Sequence, residues 1–373
     1  MSKVMLRCMG FLRREPVLTI AAVLALASAV LVPPSPAYLT YIDWETLAQL
    51  FSLMAVVQGF QKAGTFLYLG NRLLEHTATV RAMLFVLVLL PFLSSMVITN
   101  DVALLTFVPF GLTVLSLVRQ ERQAVWLVAL QTAAANLGSM LTPMGNPQNL
   151  YLYAQSGIRF GAFCGLMLPY VLLSAAVLSV LILRVKNAPV DRVSVAVHPS
   201  SHQYFFWCAA GLLLCLLGIF GVLPPVGIAG AVAVFLVCFD RGLLARIDYA
   251  LLGTFAAFFI FVGNLAQLEG FRALLARILA GHVELAAILS SQVLSNVPTA
   301  LLLSGFTTQW EALIVGCNLG GLGTLIASMA SLISYKALSN AYPGQRRPYL
   351  VSFTGVNLLL LGLLFLLSLA LNP

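Results

Sequence analysis

The chain has 373 residues, of which 61% are hydrophobic and 9% are charged, and its formal net charge is +8. Soluble proteins average about 45–50% apolar and about 25% charged residues, so the composition excludes a soluble fold and predicts an all-α polytopic membrane protein. The basic residues stand singly between apolar segments rather than on one basic face, which excludes nucleic acid as a partner and leaves the lipid bilayer.

Nine apolar segments are long enough, or nearly so, to form membrane-spanning helices at about 20 residues per span. They are residues 16–34, 41–59, 123–143, 161–184, 203–222, 225–239, 249–266, 310–328 and 349–371. The first segment follows a basic start, as in a signal peptide. Because further spans follow it, we expect it to be retained as a helix.

Two further apolar regions, 82–118 and 282–308, are interrupted midway by polar or helix-breaking residues. Thr99-Asn100-Asp101 interrupts the first, and Ser295-Asn296-Val297-Pro298 interrupts the second. Each half is too short for a comfortable span. Both regions are therefore predicted to be re-entrant helical hairpins whose tips lie at membrane depth.

The distribution of basic residues gives an orientation. If the N-terminus is cytoplasmic and both hairpins return to the side that they enter from, all of the 20 Lys and Arg residues except Arg159, Arg272 and Arg277 fall on the cytoplasmic side. We therefore expect a multi-pass protein of the inner (plasma) membrane with a cytoplasmic N-terminus and hairpins that enter from opposite faces.

The two halves of the chain carry similar motifs in the same order. Residues 98–106 resemble 294–302, with Asn296 lying 196 residues after Asn100, and residues 136–150 align without gaps with 318–332 at an offset of 182. An odd number of crossings separates the copies, which predicts inverted repeats with discontinuous helices, the architecture of secondary transporters. The expected organisation is an N-terminal scaffold helix (1–40), a first repeat (41–184), a linker with scaffold helices (185–240) and a second repeat (241–373).

The four motif segments predict one substrate site flanked by two ion sites. Prolines in 142–147 and glycines in 320–323 oppose regular helix there, and the exposed backbone groups would need a polar cavity. Neutral oxygens suit Na⁺ or another hard cation, so no cofactor is expected beyond a coupling Na⁺ or H⁺. The predicted ion ligands are Thr99, Asn100, Gly138 and Thr142 in one site and Ser295, Asn296, Gly320 and Thr324 in the other. The candidate substrate ligands are Thr99, Asn100, Asn146, Gln148, Asn149, Ser295, Asn296, Thr299, Asn318 and Ser328.

Asp101 is the acidic residue at the tip of the first predicted hairpin. An acid inside the membrane is costly, so it is expected to bind Na⁺ or carry a proton, although an acid at this position can also simply cap the following helix. Glu269 and Glu284 are expected at the membrane interface, and Lys62 is expected to extend its amine to the interface. His198 and His202 are expected in a solvated loop rather than a metal site.

The motifs at 99–105, 142–149, 295–302 and 318–324 resemble those of the ion transporter superfamily, which includes divalent-anion/sodium symporters, citrate transporters, arsenite permeases and one class of sodium/proton antiporter. The resemblance covers residues 45–373. It implies a homodimer with a static scaffold and a transport domain that moves as an elevator, with Thr99, Asn100, Ser295 and Asn296 binding substrate and Na⁺. The dicarboxylate branch carries Ser-Asn-Thr at both tips, so Asp101 and Val297 favour the arsenite or sodium/proton branch.

These observations predict an ion-coupled secondary transporter of a small anion, a carboxylate or an inorganic oxyanion, driven by Na⁺ or H⁺. The alternative within the same class is a sodium/proton antiporter or arsenite-type permease centred on Asp101. An intramembrane enzyme would need clustered acids, a Ser/His pair or His-rich metal spacing, which the spans lack. A channel remains a third hypothesis, to be separated by saturable counterflow.

Overall fold

The computed structural model describes residues 15–190 and 202–371. Over these ranges the chain is helical, with one isolated antiparallel bridge between Thr79 and Pro189. The prediction of an all-α protein is therefore confirmed. His198 and the side chain of His202 lie outside the described residues, and so does the prediction for their loop.

The helices are, in chain order, α1 (Pro16–Leu31), α2 (Tyr38–Tyr41), α3 (Trp44–Lys62), α4 (Thr65–Leu74), α5 (Val80–Ser94), α6 (Asn100–Leu117), α7 (Ala124–Ser139), α8 (Pro147–Ser156), α9 (Phe160–Leu183), α10 (His202–Ile219), α11 (Pro225–Phe239), α12 (Arg241–Leu244), α13 (Tyr249–Ala266), α14 (Glu269–Leu279), α15 (Val283–Leu294), α16 (Asn296–Ser304), α17 (Trp310–Leu319), α18 (Met329–Ala341) and α19 (Arg346–Leu371). Short 3₁₀ helices cover Glu121–Gln123, Pro143–Gly145 and Pro343–Gln345.

Four helical segments of the described chain are long and apolar enough to cross a membrane: α6, α9, α13 and Pro343–Leu371. The count rises to five if α14 and α15, which are bent by 110° at their junction, form one broken span. Several spans of this kind are the mark of a polytopic membrane protein.

Two sequence expectations about helix length need correction. The expectation that every hairpin half is too short for a span is wrong for α6, because its 18 residues extend about 27 Å at 1.5 Å per residue. The predicted span 310–328 is helical only as far as Leu319. The sequence also missed α4 and α14, since a search for apolar segments overlooks short amphipathic helices of the kind found at membrane surfaces.

One compact unit comprises Met1–Ala55, Leu213–Val283 and Leu301–Gln309. Within it, α1 packs along α13, and polar side chains join the two helices. Asn264 Nδ2 on α13 donates to Ser28 Oγ at 3.0 Å and to Tyr38 Oη at 2.8 Å. In an apolar setting, these bonds fix the register of the two helices.

The second compact unit comprises Val56–Leu212, Glu284–Ala300 and Trp310–Pro373, and α7 lies at its centre. Helices α5, α6, α18 and α19 all pack against α7, and nearly all of its residues are buried. Gln131 on α7 donates through Nε2 to the carbonyl oxygens of Leu87 on α5, at 2.9 Å, and Phe107 on α6, at 3.1 Å. The side chain thus joins the two halves of the first predicted hairpin to α7.

Residues 185–188, the beginning of the predicted linker, form hydrogen bonds with the first residues of α5. Val80 donates its backbone N–H to the Ala188 carbonyl at 2.9 Å, and Arg81 Nε donates to the Val185 carbonyl at 2.7 Å. These contacts hold the end of α9 beside the beginning of α5.

Candidate functional site

Four helix breaks lie within the second unit, at the positions that the motif segments predict. The first lies between α5 and α6, the second between α7 and α8, the third at Ser295 between α15 and α16, and the fourth between α17 and α18. Each break frees backbone donors or acceptors that a continuous helix would have satisfied. The side chains that meet around these breaks are mainly amides and hydroxyls.

Asn136, near the end of α7, joins the first and fourth breaks. Its Oδ1 accepts a hydrogen bond from Asn100 Nδ2 at 2.9 Å and another from Ser328 Oγ at 3.1 Å. All three side chains are buried. The first residue of α6 and the residue preceding α18 therefore share one acceptor.

Asn318, near the end of α17, makes the corresponding contacts with the second break. Its Oδ1 lies 3.4 Å from the donor Asn146 Nδ2, and its Nδ2 donates to Asn149 Oδ1 at 2.7 Å. Asn146 also caps α8 by accepting from the Asn149 backbone N–H at 2.9 Å. Pro147, as the first residue of α8, fits this position because it has no N–H to satisfy.

Ser139 links the two groups of asparagines. Its hydroxyl donates to the Asn136 carbonyl at 2.8 Å and receives a hydrogen bond from Asn146 Nδ2 at 3.2 Å. We call the connected set Asn100, Asn136, Ser139, Asn146, Asn149, Asn318 and Ser328 the asparagine network. Its members are at most 4% exposed, so the network is a polar region enclosed by protein.

The tip of the second predicted hairpin lies beside the start of α18. The backbone N–H of Asn296 donates to the Ala327 carbonyl at 3.0 Å, and Ser295 Oγ lies 3.3 Å from the same oxygen. Ser295 has a φ of +77°, a left-handed conformation that is uncommon for a residue other than glycine. This single residue separates α15 from α16.

Gln292 supports the fourth break from the last turns of α15. Its Nε2 donates to the carbonyl oxygens of Gly320, at 3.0 Å, and Leu322, at 2.9 Å. Its Oε1 accepts from the Thr324 backbone N–H at 2.9 Å, and Thr324 Oγ1 donates back to the Gln292 carbonyl at 3.0 Å. The segment is thus held in a non-helical shape by one glutamine.

Thr142 makes the same kind of contact at the second break. Its hydroxyl donates to the Met96 carbonyl, as Thr324 does to the carbonyl of Gln292. The sequence predicts both threonines as ion ligands, and in the structure each hydroxyl joins a break to the first half of a predicted hairpin. Thr142 is half-buried and Thr324 is exposed.

Gly138 and Gly320, also predicted ion ligands, lie where two helices approach closely. A Cβ at Gly138 would lie 1.9 Å from the Phe92 carbonyl oxygen and 2.7 Å from Ser95 Oγ. A Cβ at Gly320 would lie 2.6 Å from Ser291 Oγ. The absence of a side chain therefore permits the close packing at both positions.

The remaining predicted ligands lie at the starts of α6, α8 and α16. Thr99 precedes α6 and Asp101 lies in its first turn, where Asp101 is half-buried and donates its backbone N–H to Asn100 Oδ1 at 3.0 Å. Gln148, in the first turn of α8, is 2% exposed. Thr299, one turn into α16, is fully buried, and its hydroxyl has no hydrogen-bond partner among the described residues.

Sequence reasoning omitted three residues from the candidate site: Asn136, Ser139 and Gln292. Asn136 could have been found, because the repeat alignment pairs it with Asn318. The other two carry no comparable signal, since a serine or a glutamine in an apolar helix does not indicate which backbone group it will meet.

Comparisons with known proteins identify similar chains. A family model described as citrate transporter matches residues 4–309. The Escherichia coli inner membrane protein YbiR is 32% identical over 303 residues, which cover 79% of this chain and 80% of that protein. An uncharacterised transporter of Methanocaldococcus jannaschii is 31% identical over 302 residues, covering 80% and 82% of the two chains. The rice silicon efflux transporter LSI3 is 35% identical over 131 residues, covering 35% of this chain and 27% of that protein.

Proposed function

Because the chain belongs to the citrate transporter family, we propose that it is an ion-coupled secondary transporter of a small anion, driven by Na⁺ or H⁺. Its family and relatives make it a membrane transporter of the plasma membrane rather than an enzyme. The substrate class proposed is a carboxylate or an inorganic oxyanion. The family description, citrate transporter, supports a carboxylate. The name of the rice relative, silicon efflux transporter, supports an inorganic substrate.

The asparagine network is the observation that carries this proposal. Amide N–H groups donate to anion oxygens, and amide, hydroxyl and backbone oxygens coordinate hard cations, so a neutral network can hold an anion together with its coupling ion. Such a group of buried polar side chains is costly in a purely structural core, because each buried polar atom without a hydrogen-bond partner destabilises the folded state.

Three buried atoms around the network have no hydrogen-bond partner among the described residues: Asn136 Nδ2, Thr299 Oγ1 and Ser331 Oγ. Ser331 lies one turn after Ser328 on α18, and Thr299 lies one turn after Ser295. We assign these atoms to contacts with the substrate or the ion, because a ligand would satisfy groups that the protein leaves unsatisfied.

The helix termini at the breaks add to this chemistry. Helices α6 and α16 begin at Asn100 and Asn296, so each directs the partial positive charge of its N-terminus toward its break. Helices α7 and α17 end at Ser139 and Leu319, and the partial negative charge of each C-terminus suits a cation. The proposed ion ligands therefore remain those predicted from the sequence, with Na⁺ as the ion.

Pairs of equivalent contacts support the inverted repeat. Ser328 donates a hydrogen bond to Asn136, and Asn146 donates one to Asn318. The two donors, Asn146 and Ser328, are 182 residues apart, and so are the two acceptors, Asn136 and Asn318. The Thr142–Met96 and Thr324–Gln292 contacts repeat at offsets of 182 and 196 residues. The offsets are those of the motif alignment, which is expected if the two halves share one internal architecture.

Further properties of the proposal come from the resemblance to the superfamily and from charge distribution. They are two re-entrant hairpins that enter from opposite faces, a cytoplasmic N-terminus, a homodimer and an elevator-like movement of the transport domain. The division of the chain into a scaffold helix (1–40), a first repeat (41–184), a linker with scaffold helices (185–240) and a second repeat (241–373) stays a prediction.

Reconstitution tests the proposal. The purified protein is first screened for thermal stabilisation by carboxylates and oxyanions, with and without Na⁺. Anions that stabilise it are then tested for counterflow in proteoliposomes and for accumulation driven by a Na⁺ or pH gradient. Saturable, counterflow-competent anion uptake supports the proposal, whereas single-channel conductance without counterflow would identify a channel.

Asp101 carries the second candidate function, a sodium/proton antiporter or arsenite-type permease. Its half-buried position in the first turn of α6, directly after Asn100, places a carboxylate at the edge of the network. If Na⁺ and pH gradients alone drive exchange and no anion competes, this second function replaces the first.

A further inference from the structure

A carboxyl group outside the asparagine network has an unusual environment. Glu284, the second residue of α15, accepts a hydrogen bond at Oε2 from Ser368 Oγ on α19 at 2.7 Å. Its other oxygen, Oε1, is buried and has no hydrogen-bond partner among the described residues. The sequence predicts a position at the membrane interface, and the structure adds that one oxygen of this carboxyl group is buried without a partner.

The surroundings of Glu284 are nearly free of charge. Tyr170 on α9, which is 1% exposed, lies near Ser368 and Glu284 and is the titratable group that faces the carboxyl from a neighbouring helix, and its buried hydroxyl has no hydrogen-bond partner among the described residues. Helix α17 approaches through Gly316, where a Cβ would lie 2.6 Å from the Glu284 carbonyl oxygen. No basic side chain of the described chain forms an ion pair with Glu284, and His282, two residues earlier, is exposed.

An ionised carboxylate is unstable where one oxygen is buried without a donor or a cation, and a bound proton removes that charge. The side chains around Glu284 supply two hydroxyl oxygens besides the carboxylate, too few for a hard cation, which typically takes six or more oxygen ligands. The geometry points to a proton-binding site formed by Glu284, Ser368 and Tyr170, separate from the asparagine network.

The position also allows exchange of the proton with solvent. Glu284 is only half-buried, and His282, in the turn before α15, is exposed. A proton can therefore reach the carboxyl group from the turn between α14 and α15 without crossing the asparagine network. The proposed site can therefore bind or release its proton independently of the substrate that the protein carries.

Infrared spectroscopy of the purified protein in lipid nanodiscs tests this inference without any substrate. In a pH titration, the carbonyl stretch of protonated Glu284 is expected as a band of the wild-type protein that is missing from the Glu284→Gln spectrum, while the bands of the other carboxyl groups appear in both. Ser368→Ala removes the donor that favours the ionised form, so the midpoint of this band should move to higher pH by about one unit. Asp101→Asn serves as the matched control and should leave the band of Glu284 unchanged.

Two results would overturn the inference. One is an identical set of titrating carboxyl bands in the wild type and in Glu284→Gln, and the other is a midpoint of the Glu284 band that moves with Na⁺ concentration, which would identify a cation site. If Glu284→Gln does not fold, Ser368→Ala and Tyr170→Phe decide the question, since an unmoved midpoint in both contradicts the proposed site. Because substrate is absent, these results do not depend on the proposed transport function.

Discussion

The hydroxyl of Ser328 donates a hydrogen bond to Asn136 Oδ1 at 3.1 Å, although 192 residues of sequence separate them. The contact joins the start of α18 to the end of α7. The same acceptor also binds Asn100 Nδ2, so one amide oxygen fixes the positions of two helix breaks. A displacement of either break would leave a buried polar atom without its partner, and the breaks are therefore expected to hold their positions together.

The two glycines at the ends of α7 and α17 predict unequal effects of added side chains. Gly138→Ala should lower the free energy of unfolding by about 3 kcal/mol or prevent folding, because the new Cβ would meet a backbone carbonyl at 1.9 Å. Gly320→Ala should cost less, since its nearest contact is the side chain of Ser291. Thermal unfolding in detergent measures both.

Gly165→Ala is the control for the glycine pair. Gly165 is a residue of α9 with no atom within 4 Å of a Cβ, so alanine should leave the unfolding temperature unchanged or raise it slightly. If Gly138→Ala were as stable as Gly165→Ala, the close approach of α7 and α5 would be refuted.

Gln292 provides a test of the non-helical segment between α17 and α18. Gln292→Glu keeps an acceptor for the Thr324 N–H but loses both bonds to the carbonyls of Gly320 and Leu322. The free energy of unfolding should fall by about 2 kcal/mol, and transport should fall with it. The exposed Gln309→Glu is the control and should change neither quantity. Equal behaviour of the two variants would show that Gln292 does not support the break.

Local sequence was sufficient to predict where the helices stop. Proline at 143 and 147 and glycine at 320, 321 and 323 disfavour regular helix through steric and entropic effects that depend only on neighbouring residues. Breaks do occur at 140–146 and 320–328. The all-helical class is also predictable locally, because it follows from the composition and from the length of the apolar segments.

Sequence could not predict which side chains would meet. The bonds of Gln292 to Gly320 and Leu322 span 28 and 30 residues, and nothing at position 292 distinguishes this glutamine from one that faces solvent. Glu284 is expected at the interface because it flanks the outer side of the second predicted hairpin, but that position does not predict its bond with Ser368 or the burial of one of its oxygens. Long-range pairing depends on the assembled fold, and local patterns do not encode it.

Cysteine labelling tests the two re-entrant hairpins. In a chain whose native cysteines are replaced by serine, we expect His76→Cys and Glu121→Cys, both at exposed positions flanking α5 and α6, to react with an impermeant reagent only from the cytoplasmic side. His282→Cys and Gln309→Cys, which flank α15 and α16, should react only from the outside. Since α6 is long enough to span a bilayer, labelling of His76→Cys and Glu121→Cys from opposite sides would mean an odd number of crossings between them and would replace the first hairpin by a single span.

Asp101→Asn separates the two proposed functions. If Asp101 carries the coupling ion of an anion transporter, anion counterflow should persist in the variant while accumulation driven by a Na⁺ or pH gradient is lost. If the protein is an antiporter centred on Asp101, the variant should lose all exchange. Asp248→Asn, a change at a residue that caps α13 through Oδ1 at 2.9 Å, is the matched control and should retain both activities.

Binding of the stabilising anion to purified variants tests the asparagine network most directly. Asn100→Ala, Asn136→Ala and Asn296→Ala should each weaken binding about tenfold or more, because each removes hydrogen bonds at the proposed site, and transport in proteoliposomes should be abolished. Asn357→Ala, which removes a fully buried asparagine of α19 outside the network, should bind and transport as the wild type does. Wild-type affinity and transport in folded Asn100→Ala and Asn136→Ala would contradict the assignment of the network as the transport site, and the same result in Asn296→Ala would remove the neighbouring tip residue from it.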